Sequence, residues 1–305
     1  MNNAFYNTLV LLLCSCLIAG CTTTPVAPDV TNPPHRVPQP KITNSERPVI
    51  AFVLGGGAAR GFAHVGVLKA LEENGIEADI VVGTSAGSVV GSLYAGGIRG
   101  DELVEAAMNL NLSQLTDWMF PNRGVLRGEL LQSYVNNLLD NRPIEKLDIP
   151  FIAAVTDLES GELVILNAGD TGMAVRASSA IPGLVQPVSI NGREYVDGGL
   201  VSQVPVRIAR RYGADLVIAV DVSRTPLPRP ELGSTVALLR QSVIIMSNRI
   251  AETELEEADI VIRPAVGMIN VGEFDSRDVA VLAGEQAALA AIPEIKRRLA
   301  ELAQQ

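Results

Sequence analysis

Short, wholly apolar runs alternate along the chain with longer stretches in which apolar residues recur at helical spacing. Residues 49–54 form a continuous apolar run that ends in glycines, a pattern typical of a buried parallel strand. A helical stretch over residues 60–73 follows, and residues 79–82 predict a second buried strand. Strand, glycine loop, helix and strand in this order indicate a parallel α/β arrangement.

The rest of the chain continues this pattern without an internal repeat. Strands are predicted at residues 151–156, 162–166, 216–220 and 260–262, and a hairpin over residues 188–196 turns at Asn191-Gly192. Helices are predicted in the section 101–148, at 171–180 and 235–257, and as two separate helices at the C-terminus. Their amphipathic spacing suggests that the C-terminal helices cover the same sheet.

The first 48 residues have a different character, which predicts export. The apolar run over residues 9–18 has the length of a signal-peptide core and is too short to span a membrane. It ends in Leu17-Ile18-Ala19-Gly20-Cys21, which resembles the lipobox of bacterial lipoproteins. We therefore expect a signal peptide over residues 1–20, lipidation of Cys21, and a lipid-anchored, proline-rich tether over residues 21–48. An ordinary buried apolar segment is the alternative, and the absence of Lys and Arg before the run weakens the signal.

The net charge and the positions of the cysteines indicate which partners and which cellular compartment to expect. The net charge of −10 argues against a nucleic-acid partner and against electrostatic binding to an anionic membrane, so membrane association is expected to rest on the anchor. All three cysteines lie within the first 21 residues, so the mature domain is expected to depend on its core rather than on disulfides. An aspartate directly after the lipidated cysteine is associated with retention of a lipoprotein in the inner membrane. This chain has Thr22 at that position, so we expect attachment to the outer membrane, facing the periplasm.

A serine stands at the end of the second predicted strand. The sequence Gly83-Thr84-Ser85-Ala86-Gly87 is a Gly-x-Ser-x-Gly frame between a strand and a helical stretch. Such a frame lets a strand turn sharply into a helix, which exposes the serine Oγ near backbone N–H donors at the helix N-terminus. Ser85 is therefore a candidate nucleophile for ester hydrolysis, although so short a frame also occurs as a plain structural turn.

The chain has only two histidines to serve this serine as a base. His35 lies among prolines in a stretch that does not look folded, and His64 lies on an apolar helix face, where a packed histidine is the expected interpretation. Asp197 stands at the end of the predicted hairpin and before two glycines, and it becomes the candidate base if this strand end meets those of the serine frame and the first glycine loop at one edge of the sheet. Because an ordinary aspartate is a weak base, we expect Asp197 to be partly buried with a raised pKa.

The glycine loop Gly55-Gly56-Gly57-Ala58-Ala59-Arg60-Gly61 follows the first strand. Backbone N–H groups of such a loop can stabilise the negative charge that develops on a carbonyl oxygen during acyl transfer. The same spacing invites a dinucleotide-binding interpretation. That interpretation requires an acidic residue at the end of the second strand, where this chain has its serine frame instead.

Four blocks in order resemble those of bacterial patatin-like phospholipases. They are the glycine loop with residues 62–68, the serine frame at residues 83–87, Ala177-Ser178-Ser179-Ala180-Ile181-Pro182-Gly183, and Asp197-Gly198-Gly199. The resemblance implies a three-layer α/β fold with a mostly parallel central sheet flanked by helices. It implies a domain over residues 49–305, with the motifs in 49–222 and a helical cover in 223–305.

The resemblance also implies a chemistry. It assigns a catalytic dyad to Ser85 and Asp197, an oxyanion hole to Gly55, Gly56, Gly57 and Arg60, and acyl hydrolysis of phospholipids or lysophospholipids without metal or cofactor. The glycine loop is one residue longer than the family's shorter form, which leaves the individual oxyanion donors open.

Two other functions remain open at this point. A small-molecule carboxylesterase or thioesterase would use the same residues, and a non-catalytic lipid-binding lipoprotein would use the fold alone. The apolar cluster of Leu115, Trp118, Met119 and Phe120 is expected to be ordinary core packing, with a lid or an interfacial patch as the alternative.

Overall fold

Eight strands form one mixed sheet in the computed structural model, which describes residues 32–37, 47–111, 113, 115–119, 123–228 and 232–304. The strands are β1 Ile50–Leu54, β2 Ile80–Thr84, β3 Phe151–Asp157, β4 Leu163–Leu166, β5 Val188–Ile190, β6 Arg193–Asp197, β7 Leu216–Val220 and β8 Ile260–Ile262. The helices are α1 Phe62–Glu73, α2 Ala86–Ala95, α3 Gly100–Asn109, α4 Glu129–Leu138, α5 Thr171–Ser178, α6 Val206–Arg211, α7 Thr235–Leu255 and α8 Arg277–Leu302.

Five strands in the order β3-β2-β1-β7-β8 are parallel and make up most of the sheet. Every residue of β1, β2, β3 and β7 is buried, which explains why these strands read as continuous apolar runs rather than alternating ones. Antiparallel strands β4, β6 and β5 complete the sheet at its β3 side. The predicted α/β fold with a mostly parallel sheet flanked by helices is confirmed.

Strands β2 and β6 meet end to end beside β3. Strand β2 runs parallel to β3, and its last residue Thr84 pairs with Ala154. Strand β6 runs antiparallel to β3, and its last residue Asp197 pairs with Val155, the next residue along β3. The sheet therefore brings the carboxyl ends of β2 and β6 together, although they are more than a hundred residues apart in sequence.

The C-terminal helix α8 packs closely along α1. A Cβ added to Gly66 of α1 would lie 1.9 Å from the Val281 carbonyl oxygen, and one added to Gly284 of α8 would lie 2.0 Å from the Ala63 carbonyl oxygen. Only glycine permits this approach of the two backbones. The prediction of two C-terminal helices is wrong, because one helix continues through Pro293 to Leu302.

The long helix α7 covers the domain with its C-terminal half only. Its buried residues are Ile244, Ala251, Glu254 and Leu255. Apolar residues in its first turns, such as Val236 and Leu239, are exposed, whereas Ala251 and Leu255 pack in the core with residues of the sheet, so the expected cover is provided by the later turns of this helix. No helix within the described part of the chain is long and apolar enough to cross a membrane.

The segment around His35 is held against the domain rather than left unfolded. The His35 N–H donates to the Ala168 carbonyl oxygen over 2.9 Å, and the His35 carbonyl oxygen accepts the N–H groups of Asn167 and Ala168. This corrects the expectation for residues 32–37. Several predicted features lie outside the described residues. They are the signal peptide over residues 1–20, Cys21, residues 22–31 and 38–46 of the tether, and Phe120.

Candidate active site

Ser85 occupies a sharp turn between β2 and α2. Its backbone angles are φ 52° and ψ −123°, a conformation that a non-glycine residue rarely adopts and that is typical of functional turns. The flanking glycines permit this turn, since a Cβ on Gly83 would lie 2.5 Å from the Gly87 carbonyl oxygen and one on Gly87 would lie 2.0 Å from that of Leu54. The Gly-x-Ser-x-Gly sequence thus forms the elbow that the motif predicts.

Asp197 lies beside Ser85, as the meeting of β2 and β6 requires. Its carboxylate interacts with the Ser85 hydroxyl and accepts a hydrogen bond, over 2.7 Å, from the Gly199 N–H. Burial raises the pKa of Asp197 to about 6, although these two interactions act in the opposite direction. The structure therefore pairs Ser85 with a buried carboxylate whose pKa is raised, as expected from the sequence.

The end of α5 ties the serine and the aspartate to β3. The Ser178 hydroxyl donates to the Ala154 carbonyl oxygen over 2.7 Å and accepts the Ser85 N–H over 3.0 Å. The Asp197 N–H donates to the Ala180 carbonyl oxygen over 3.0 Å. These contacts give the third sequence block, residues 177–183, a positioning role that its sequence alone did not reveal.

The glycine loop presents fewer free N–H groups than the sequence suggested. The Gly55 N–H donates to the Val220 carbonyl oxygen and the Gly56 N–H to that of Gln203, each over 3.0 Å. These two amides are therefore not available to an oxyanion, which corrects that part of the predicted set. Within the described residues, the N–H groups of Gly57 and Ala58 have no acceptor, and Ala58 adopts a positive φ of 48°.

The side chains of Arg60 and His64 connect the glycine loop to the neighbouring parts of the domain. The buried Arg60 guanidinium donates to the carbonyl oxygens of Val222 and Ile269, and burial lowers the pKa of Arg60 to about 10. The prediction of Arg60 as an oxyanion-hole group is corrected, because its donors are turned to these carbonyls. His64 Nε2 donates to the Gly55 carbonyl oxygen over 2.8 Å, and burial lowers the pKa of His64 to about 4, which confirms a packed, neutral histidine.

Gln203 contacts the same loop and was missed by sequence reasoning. Its carbonyl oxygen accepts the Gly56 N–H, and its side-chain Nε2 donates to the Gly56 carbonyl oxygen over 2.6 Å. A Cβ on Gly56 would lie 3.3 Å from the Ser85 Cβ, so Gln203 holds the part of the loop nearest the serine. Its position shortly after Asp197-Gly198-Gly199 is the only sequence signal that marks it.

Ser85 opens on an apolar cavity of about 180 Å³. Its walls come from the glycine loop and from helices α1 to α4, with Phe274 and Ile181. Leu115 lines this cavity and Trp118 is 72% exposed, so the expectation that this cluster is ordinary core packing is wrong for both residues. Among the described side chains, no group of three or more His, Cys, Asp or Glu is arranged to hold a metal ion.

Comparison with known proteins gives one family and several partial relatives. The model of the patatin-like phospholipase family matches residues 52–210, just over half of the chain. An uncharacterised NTE family protein of Mycobacterium bovis is 38% identical over 186 residues, which cover 60% of this chain and 51% of that protein. A second one, from Mycobacterium tuberculosis, is 31% identical over 269 residues, which cover 80% of this chain and 46% of that protein. The chain thus spans about half the length of these relatives.

Two further comparisons extend this picture. Human patatin-like phospholipase domain-containing protein 6 is 36% identical over 181 residues, which cover 57% of this chain and 13% of that protein. The crystal structure of VipD from Legionella pneumophila aligns with a TM-score of 0.55 at 14% identity, covering 92% of this chain and 73% of VipD. The VipD alignment supports the fold, and the family model covers the glycine loop, the serine elbow and Asp197 together. The chain belongs to the patatin-like phospholipase family.

Proposed function

We propose that this protein is a serine acyl hydrolase that cleaves carboxylic ester bonds of phospholipids or lysophospholipids through an acyl-Ser85 intermediate. The observation that carries the proposal is the position of Ser85. It stands at a strained elbow, its hydroxyl interacts with the buried carboxylate of Asp197, and it lines an apolar cavity. The family membership and the apolar cavity both support a lipid ester as the substrate.

The first half of the reaction forms the acyl-enzyme. Asp197 accepts the hydroxyl proton as Ser85 Oγ attacks the ester carbonyl carbon, and the electron pair of the carbonyl bond moves onto its oxygen. We assign the stabilisation of that oxyanion to the N–H groups of Gly57 and Ala58, which have no acceptor in the described part of the chain, whereas those of Gly55 and Gly56 are engaged. When the carbonyl re-forms, the alcohol leaves with the proton from Asp197.

The second half returns the enzyme to its starting state. A water molecule attacks the acyl-Ser85 carbonyl carbon and transfers a proton to Asp197. The intermediate then collapses with release of the fatty acid, and the proton on Asp197 returns to Ser85 Oγ. Since Asp197 alternately accepts and donates a proton, a pKa of about 6 suits both steps better than the value of an exposed aspartate.

The cavity limits how much of the acyl chain is enclosed. Its volume of about 180 Å³ is slightly larger than the roughly 150 Å³ cavity that holds a six-carbon ring. We therefore assign to it the carbonyl-proximal segment of the chain, on the order of six to eight carbons. Longer chains extend through the mouth of the cavity.

Fluorophosphonate labelling of wild type, Ser85→Ala and Asp197→Asn tests the proposal. We expect rapid labelling of wild type, none of Ser85→Ala and slow labelling of Asp197→Asn. Ser242→Ala is the control, because Ser242 is an exposed serine on α7 whose hydroxyl donates to the Leu238 carbonyl oxygen of the same helix, and its replacement is expected to leave labelling unchanged. Labelling of Ser85→Ala at the wild-type rate contradicts the nucleophile. Turnover of short esters or thioesters without turnover of phospholipid or lysophospholipid contradicts the substrate class, and failure of wild type to react favours a non-catalytic lipoprotein.

We also propose that the protein is exported, lipidated at Cys21 and attached to the outer membrane, facing the periplasm. The sequence around Cys21 and the polar, proline-rich residues after it support this proposal. Metabolic labelling with an alkyne fatty acid, followed by membrane fractionation, tests it. We expect label and outer-membrane recovery for wild type and neither for Cys21→Ser, and equal recovery of the two contradicts the anchor.

A further inference from the structure

Glu254 is a buried carboxylate that the reaction described above does not use. It lies in the last turn of α7 and is only 5% exposed. Its Oε1 accepts the Ser202 hydroxyl over 2.6 Å, and its Oε2 accepts the Val204 N–H over 3.2 Å. Burial raises the pKa of Glu254 to about 7, although these hydrogen bonds act in the opposite direction. Both oxygens of Glu254 are thus directed at one short segment.

That segment, residues 198–204, touches every part of the catalytic site. It begins directly after Asp197, and the Ser202 N–H donates to the Gly198 carbonyl oxygen over 2.8 Å. The Ser202 carbonyl oxygen accepts the Thr84 hydroxyl over 2.9 Å, next to the nucleophile in sequence. We call residues 198–204 the bridging loop.

Gln203 is the central residue of this arrangement. Glu254 holds the residues on both sides of it, Ser202 and Val204, while Gln203 itself holds Gly56 by a backbone and a side-chain hydrogen bond. A shift of the Gln203 backbone would therefore move Gly56 and the neighbouring Gly57 and Ala58 N–H groups. Oxyanion donors act only when they lie within about 3 Å of the developing charge, so their position matters more than their number.

Stability alone does not account for a carboxylate at this place. Among the described residues, Glu254 has two neutral hydrogen-bond donors and no bonded cation, and Arg207, which acts on it through charge, pairs with Glu257 at the surface. A carboxylate buried in this way is generally a weak source of stability compared with an apolar side chain of similar size. What it does provide is two directed contacts, one on each side of Gln203.

We propose that Glu254 is a positioning residue, which fixes the bridging loop through Ser202 and Val204 and thereby sets the Gly57 and Ala58 N–H groups against Ser85. The inference rests on the proposed acyl-hydrolase function. It extends the catalytic machinery into α7, beyond residues 52–210 that match the family. Changes at Glu254 are therefore expected to lower turnover without weakening substrate binding.

Four variants measured as full chains test this assignment: Glu254→Ala, Glu254→Gln, Gln203→Ala and the double variant Glu254→Ala/Gln203→Ala. We expect Glu254→Ala to lower kcat about tenfold to a hundredfold, the cost of displacing catalytic groups by about 1 Å, with KM unchanged within about twofold. Glu254→Gln should restore kcat to within about threefold of wild type. The amide oxygen of the new glutamine side chain can accept the Val204 N–H, and its NH2 group can donate to the Ser202 hydroxyl oxygen.

The double variant separates positioning from a general structural effect. If Glu254 acts through Gln203, the double variant should lose no more activity than the worse single variant, because groups that act as a unit are not additive. Glu252→Gln is the matched control, since Glu252 lies on the same helix, exposed and paired with Arg249, and should leave kcat unchanged. Ser202→Ala, which removes one of the two contacts, replaces Glu254→Ala if that variant folds poorly, with an expected loss of about threefold to tenfold.

Several outcomes would overturn the proposal. These are wild-type kcat in a folded Glu254→Ala or Ser202→Ala, a loss confined to KM, and losses that multiply in the double variant. Wild-type protein that does not react with a fluorophosphonate refutes the acyl-hydrolase function itself. Reactive wild type together with an equally reactive Glu254→Ala refutes only the role of Glu254.

Discussion

Replacing Asp197 with asparagine should slow acyl transfer about a hundredfold to ten-thousandfold and, at the same time, stabilise the protein at neutral and alkaline pH. Burial raises the pKa of Asp197 to about 6 from the 3.8 of an ordinary aspartate. That difference corresponds to about 3 kcal/mol, by which the ionised side chain destabilises the fold above pH 6. Asparagine keeps an oxygen that can accept the Gly199 N–H but carries no charge to desolvate.

The pH dependence of this effect follows from the direction of the shift. Because the pKa of Asp197 is higher in the folded than in the unfolded state, the folded protein holds a proton between about pH 4 and 6 that the unfolded chain has lost. The contribution of Asp197 to the free energy of unfolding is therefore fully present below pH 4 and lost as the pH rises through 6. The advantage of asparagine should be near zero at pH 4 and reach up to about 3 kcal/mol at pH 8.

Urea denaturation of wild type and Asp197→Asn at pH 4.5, 6 and 8 measures this difference directly. Asp275→Asn serves as the control, since Asp275 is exposed and its replacement removes a charge from the surface rather than from the interior. An Asp197→Asn protein that is less stable than wild type at pH 8 would refute the reasoning. So would a difference in unfolding free energy that is equal at pH 4.5 and 8, because the effect would then not arise from the charge.

Three further predictions follow from the contacts of the site. The rate constant kcat/KM of the wild-type enzyme should fall about tenfold per pH unit below pH 6, as Asp197 gains a proton, and a fall that begins only near pH 4 would contradict its raised pKa. Gly56→Ala should slow fluorophosphonate labelling at least about tenfold, because its Cβ would lie 3.3 Å from the Ser85 Cβ and 3.2 Å from Gln203 Nε2. The control Gly233→Ala, with open space around it, should label like wild type. Ser178→Ala should lower kcat and cost about 1 to 3 kcal/mol of unfolding free energy, because the buried Ser85 N–H loses its acceptor, and unchanged values of both would exclude the role assigned to Ser178.

Much of the sheet was predictable from the sequence because its central strands are buried on both faces. The wholly apolar runs of β1, β2, β3 and β7 allow few alternatives, and Asn191-Gly192 marks the β5-β6 hairpin. The C-terminal helices were less predictable. Periodicity indicates which residues are apolar but not whether another element covers them, so the exposed first half of α7 was missed.

The same limit applies to the active site. The residues of the proposed dyad, Ser85 and Asp197, were found from the sequence because each stands in a short motif at the end of a predicted strand. The N–H groups proposed as oxyanion donors were not, because the hydrogen bonds that engage the Gly55 and Gly56 N–H groups end on Val220 and Gln203, far along the chain. Gln203 is 147 positions from Gly56, and no local pattern reports a contact over that distance. Arg60 was misassigned for the same reason.

In the proposed mechanism, Asp197 can act as a base because of its position in the fold. An aspartate in water is almost fully ionised at neutral pH and has little affinity for a serine proton. At the meeting point of β2 and β6 it is buried beside β3, so desolvation raises its proton affinity where the Ser85 hydroxyl is within reach. The same desolvation destabilises the fold, and the burial of the surrounding parallel strands offsets that cost. A site of this kind therefore needs no histidine, but it needs a large core around its carboxylate.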